Sequence, residues 1–75
     1  MTGLELENFI DQIGPENIES IEVEGENNIY FQMKESVEKH KIRLKDVPNG
    51  RIMEILENEG FHAKIRDERK TVFVR

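Results

Sequence analysis

Seventy-five residues carrying 16 acidic and 11 basic side chains give a formal charge of −5, and no cysteine is present. That length is one domain near the lower limit for folding on a single core, and the lack of cysteine excludes disulfides and thiolate metal sites. No apolar run approaches the ~20 residues of a membrane span, and the N-terminus lacks the basic-then-apolar layout of a signal peptide, so a soluble cytoplasmic chain with no membrane partner is the expectation.

Leu6, Phe9, Ile10 and Ile13 recur at i, i+3, i+4 and i+7 and predict a helix near residues 4–13 with one apolar stripe; Thr2 can cap it, and Gly14-Pro15 stops it. Ile21 and Val23 alternate with Glu22 and Glu24, the period of a half-buried strand. Gly25-Glu26-Asn27-Asn28 is turn chemistry, after which Ile29, Phe31 and Met33 alternate inward to complete a hairpin. Beyond a polar connection, in which Val37 is placed to pin a short helical turn, a third strand sets Ile42 and Leu44 inward and Lys41, Arg43 and Lys45 outward.

Asn49-Gly50 is by itself a strong hairpin signal. The residues after it decide otherwise: Ile52, Ile55 and Leu56, followed by Glu59-Gly60, have helical spacing and a glycine C-cap, which predicts a second helix near residues 50–59. Phe61, Ala63 and Ile65 then alternate, residues 67–70 turn, and Val72 and Val74 alternate again. The order α-βββ-α-ββ predicts one α+β domain over residues 1–75, a two-layer sandwich with both helices on one face of a mostly antiparallel sheet of about five strands. Its predicted core is Ile10, Ile13, Val23, Phe31, Leu44, Ile55, Leu56 and Ile65.

Charge is segregated along the chain. Glu5, Glu7, Asp11, Glu16, Glu19, Glu22, Glu24 and Glu26 precede the first basic residue, Lys34, after which bases outnumber acids. Like charges so crowded call for relief by a cation, a basic partner or the chain's own basic half. Glu7 and Asp11 share a helix face at i, i+4, where like charges cost about 0.2–0.5 kcal/mol, and Asp11 lies toward the helix C-terminus, where the macrodipole disfavours an anion. Glu16 and Glu19 follow in what reads as a loop. Carboxylate-dense, oxygen-only segments suit a hard divalent cation, and Ca²⁺ accepts flexible geometry whereas Mg²⁺ holds its waters. Asp11, Glu16 and Glu19 are therefore the candidate metal ligands and Ca²⁺ the candidate cofactor. EF-hand spacing is absent, so any such site is expected to be weak. The competing reading is a solvated acidic surface partly neutralised by the basic strands.

The order α-βββ-α-ββ, the acidic front half LENFIDQIGPENIESIEVEGEN and the small cysteine-free chain resemble a hypothetical-protein family of methanogenic archaea described as calcium-binding. The resemblance spans nearly the whole chain at the level of layout. It implies the same small α+β fold and adds weight to the calcium reading; it assigns no ligand residues.

Parity along the strands places Glu22, Glu24, Tyr30, Gln32 and Lys34 on the opposite face of the sheet, with Lys41, Arg43 and Lys45, then His62, Lys64 and Arg66, and finally Thr71, Phe73 and Arg75. Basic residues with exposed rings on an open sheet are how several single-stranded RNA binders work. Tyr30, Arg43, Lys64 and Phe73 are accordingly the alternative binding residues, for nucleic acid or for a protein partner. Against nucleic acid stand the charge of −5 and the lack of a recognised stacking motif, and charged edge strands are also how sheets avoid pairing with one another.

Catalytic patterns are missing. His40 and His62 have no partner at zinc-ligand spacing, the glycines are isolated rather than gathered in a phosphate loop, and Ser20 and Ser36 lack a nucleophile context. The tail GFHAKIRDERKTVFVR is similar to small sulfur-carrier proteins, but their essential cysteine is absent. A non-enzymatic binding domain is the expectation.

Overall fold

The apolar stripe of the first helix is buried where its period puts it. In α1 (Gly3–Ile13) Leu6 and Ile10 are fully buried, with Phe9 and Ile13 packed at the margin of the core. Gly14 ends the helix at φ 90°, a conformation L side chains rarely adopt, and its N–H closes the last turn on the Ile10 carbonyl at 3.0 Å. A short 3-10 turn, Pro15–Asn17, leads into the sheet. The computed structural model describes residues 3–44, 46–67 and 69–75, so the expected cap at Thr2 and the expected outward Lys45 lie outside the described residues.

The strands are β1 (Ile18–Glu24), β2 (Asn28–Met33), β3 (Lys39–Arg43), β4 (His62–Arg66) and β5 (Lys70–Val74), with α2 (Asn49–Asn58) between β3 and β4. They form one antiparallel sheet in the order β3-β2-β1-β5-β4. The expected order α-βββ-α-ββ and the α+β class are those of the structure. Ile21, Val23, Ile29, Phe31 and Phe73 from the sheet, with Leu6, Ile10, Ile52, Ile55 and Leu56 from the helices, make one core. The Phe9 and Phe31 rings meet at 5.3 Å between helix and sheet.

The two helices run in the same sense. Gly3 opens α1 against α2, where a Cβ would stand 3.1 Å from Ile55 Cδ1, while Asp11 near the end of α1 lies against Glu59 just after α2. Asn49 ties the start of α2 to the β1–β2 turn: its amide donates to the Gly25 carbonyl at 3.0 Å and accepts from the Asn27 N–H at 3.3 Å. The Asn-Gly pair thus starts a helix, behind Pro48 at the N-cap, and makes no hairpin.

Four expectations are corrected. Val37 pins no helical turn; it stands 97% exposed in the β2–β3 connection. Ile65 is not core but 51% exposed, because the register shifts between Ala63 and Ile65: Ala63 faces Phe73, Ile65 faces Val72, and Lys64 is the extra residue. In β5 the inward pair is Thr71 and Phe73, both buried, whereas Val72 and Val74 are half-buried on the other side. Glu19 also belongs to a strand rather than a loop, at a register irregularity between Ile18 and Ser20.

Candidate functional site

With both helices packed on one side, the other face of the sheet is open, and its composition follows from the register. Cross-strand partners align Lys41, Tyr30, Glu22, Val72 and Ile65 in one row across all five strands. Tyr30, Val72 and Ile65 give that row its apolar character, with Glu22 between Tyr30 and Val72 and Lys41 at the β3 end. Toward the β3 edge it becomes basic: Lys39, Lys41 and Arg43 are all exposed. Lys39 reaches across β2 to Glu22, Nζ to Oε1 3.0 Å, so one acid and one base on this face neutralise each other. The Lys41 ammonium stands 5.7 Å from the Tyr30 ring centroid, within range of a weak cation–π attraction. Lys41, Arg43 and Lys70 against Glu24 are the remaining charges of the central strands and the β3 edge.

Of the four residues expected to form a binding surface here, Tyr30 and Arg43 hold their places. Phe73 does not: it is fully buried beneath the sheet, opposite Ile21 in the register. Lys64 stands at the bulge in the β4 edge. Arg75, expected beside Phe73, turns instead toward Phe61, its guanidinium 5.9 Å from that ring. Parity counting missed Ile65 as a surface residue, since nothing in the sequence marks the extra residue in β4, and it set the half-buried Val72 on the inner face of β5.

The acidic candidates are distributed differently from expectation. Glu16 folds back over Gly14, its Oε1 being 2.6 Å from where a Cβ would stand. Glu19 is exposed on β1. Asp11 instead neighbours the carboxyls of Glu59 and Glu7 near the paired helix C-termini. Burial first, then repulsion from Asp11 and a hydrogen bond with it, then Glu7, hold the Glu59 carboxyl above the usual carboxylate range, with Arg75 pulling the other way. Among the described residues no three of His, Asp and Glu are arranged to hold a metal ion. No helix of the described residues is long and apolar enough to cross a membrane.

Clefts among the described residues include two at the margins of the sheet. One of about 310 Å³ lies under the β2–β3 connection, lined by Asn17, Met33 and residues 34–36. The other, about 200 Å³, opens between the start of α2 and the β4–β5 turn.

The fold and its open face define a two-layer α+β domain with a mixed apolar and basic sheet surface. Compared with known proteins, the chain matches no family model, no curated protein and no solved structure.

Proposed function

We propose that this is a non-catalytic binding domain that docks a protein segment of apolar and carboxylate side chains on the open face of its sheet. The observation that carries the reading is the row Tyr30–Glu22–Val72–Ile65, with Ile65 51% exposed, beside the exposed cations of β3. An apolar row that holds Ile65 out to solvent beside the half-buried Tyr30 and Val72, next to a basic edge, favours a partner that offers both surfaces at once. Nucleic acid is the poorer fit: Phe73, the second ring that stacking would use, is buried, Tyr30 already faces Lys41, and Glu22 and Glu24 share the face. A titration of ¹⁵N-labelled protein tests this with two probes, an amphipathic peptide of leucine, phenylalanine and glutamate, and a single-stranded RNA oligonucleotide. Saturable shifts at Tyr30, Lys41, Ile65 and Val72 with the peptide are expected, and Ile65→Asp, at an exposed site, removes them while the domain stays folded. Shifts with RNA alone would overturn the reading.

A second reading, weak Ca²⁺ binding at the acidic end, draws support from the crowding of Glu7, Asp11 and Glu59.

A further inference from the structure

The cleft at the start of α2 is distinct from the open face. It is lined by Val23, Gly25, Asn49, Met53, Asp67, Arg69, Lys70 and Thr71, brought together by two links: the Gly25 N–H donates to the Arg69 carbonyl at 3.2 Å, and Asn49 donates to the Gly25 carbonyl at 3.0 Å. The two turns and the helix start therefore hold one another in place.

Thr71 is the informative residue. It is only 8% exposed, the one buried polar residue among those described, and among them its hydroxyl makes no hydrogen bond. No side-chain nitrogen or oxygen of the described residues is sealed away without a partner. The Thr71 hydroxyl must then reach solvent, and the cleft it lines is the space it reaches. A hydroxyl nearly buried but open to a cleft is free to bond what fills that cleft, water or a ligand in its place.

The surroundings set the sign of that ligand. α2 begins at this cleft, and Pro48 at its N-cap supplies no side-chain acceptor; the Arg51 N–H already donates to the Pro48 carbonyl at 3.0 Å, so the Asn49 and Gly50 N–H groups and the positive end of the helix dipole are what the helix offers an anion. Among the described residues, Arg69 lines the same space together with Asp67. At about 200 Å³ the cleft is smaller than the ~300–1,000 Å³ of drug-sized sites. We infer that this cleft binds a small oxyanion of the phosphate type, received by the Thr71 hydroxyl, the Arg69 guanidinium and the N-terminus of α2.

The probe is inorganic phosphate, titrated into ¹⁵N-labelled protein at constant ionic strength made up with NaCl. Saturable shifts at Gly25, Gly50, Arg69 and Thr71 are expected at millimolar phosphate. Thr71→Val, which keeps the shape and removes the hydroxyl, and Arg69→Gln, at an exposed site, should each weaken binding about tenfold, the scale of one hydrogen bond to a charged group. Arg69→Gln keeps the test decisive if Thr71→Val disturbs the core. Shifts reproduced by NaCl alone, shifts centred on Lys41 and Arg43, or undiminished binding by either folded variant would overturn the assignment. Failure of the open-face peptide titration leaves these readouts untouched, since none of the residues is shared.

Discussion

The carboxyl groups of Glu59 and Asp11 face each other within hydrogen-bonding reach where the two helices end side by side. They are 48 positions apart in the chain but meet in space, and the macrodipoles of two parallel helices add their negative ends at the same place. Ionising both groups there is unfavourable, so Glu59 retains its proton to a higher pH than an ordinary glutamate.

A stability profile should carry that signature. The folded state holds the Glu59 proton more tightly than the unfolded chain does, so between the ordinary glutamate pKa and the raised one, stability falls as pH rises, and the penalty is complete at neutral pH. Glu59→Gln should therefore stabilise the protein at pH 7 by about 0.2–0.5 kcal/mol, the scale of exposed like-charge pairs, or about 1–4 °C in Tm. At pH 3 the gain should vanish, because both states are protonated there. Thermal melts at the two pH values check this, and equal gains at both would show that the charge is not the cause. Asp11→Asn should bring the Glu59 titration, followed by carboxyl NMR, back toward the ordinary range.

The register of β5 makes the second prediction. Phe73 is fully buried and Val72 half-buried on the opposite face. Phe73→Ala should cost about 3–5 kcal/mol, a large part of the ~5–15 kcal/mol that holds a domain of ordinary stability, while Val72→Ala should cost about 1 kcal/mol or less. Urea denaturation of the two variants separates them. Comparable costs would reverse the assignment of faces.

That strand also shows where the sequence is legible and where it is not. α1, α2 and the first hairpin are readable because each has one apolar periodicity and clear stop signals: Gly14-Pro15, Gly60, and the Gly25–Asn28 turn. In β5, Val72, Phe73 and Val74 are all apolar, so either parity satisfies the pattern, and burial of the larger ring decides. β4 contains an extra residue that only its pairing with β5 reveals, and that single bulge moves Ile65 from the core to the surface. The acidic candidates failed to gather for a related reason. In the chain Asp11 has Glu16 and Glu19 as its acidic neighbours, whereas in the fold its acidic companion Glu59 arrives from the end of the other helix. Thr71 carried no signal at all, since a threonine in a strand ordinarily reports β propensity.

Asn49 gives a third prediction. Its two hydrogen bonds to the β1–β2 turn hold Asn27 at φ 65°, a left-handed conformation that asparagine tolerates. Asn49→Ala should cost about 1–2 kcal/mol, the sum expected for two ordinary hydrogen bonds, and should speed hydrogen exchange at the Asn27 amide. Asn49→Asp keeps an acceptor for Asn27 and suits the helix N-terminus, but it loses the donor to Gly25. It should fall between the wild type and alanine in stability. An Asn27 amide whose exchange is the same in all three proteins would sink the idea that Asn49 holds the turn.

Calcium supplies the last test. If the acidic end binds Ca²⁺, Asp11 is the residue with acidic neighbours from two helices, and the amides that respond should be those around Glu7, Asp11 and Glu59 rather than Glu16 and Glu19. With no closed cage, a Kd of about 10⁻⁴–10⁻³ M is expected, the range of weak extracellular sites. Mass action then predicts stabilisation of about 1.4 kcal/mol at ten times Kd, provided that ionic strength is held constant. Binding must also displace the proton of Glu59, so the affinity should fall as pH drops through its raised pKa, and Glu59→Gln should weaken Ca²⁺ while leaving the peptide and phosphate titrations alone. Amide shifts along residues 5–11 that stay unchanged at millimolar Ca²⁺ would remove the calcium reading and leave the crowded carboxylates as an electrostatic cost of pairing the two helix ends.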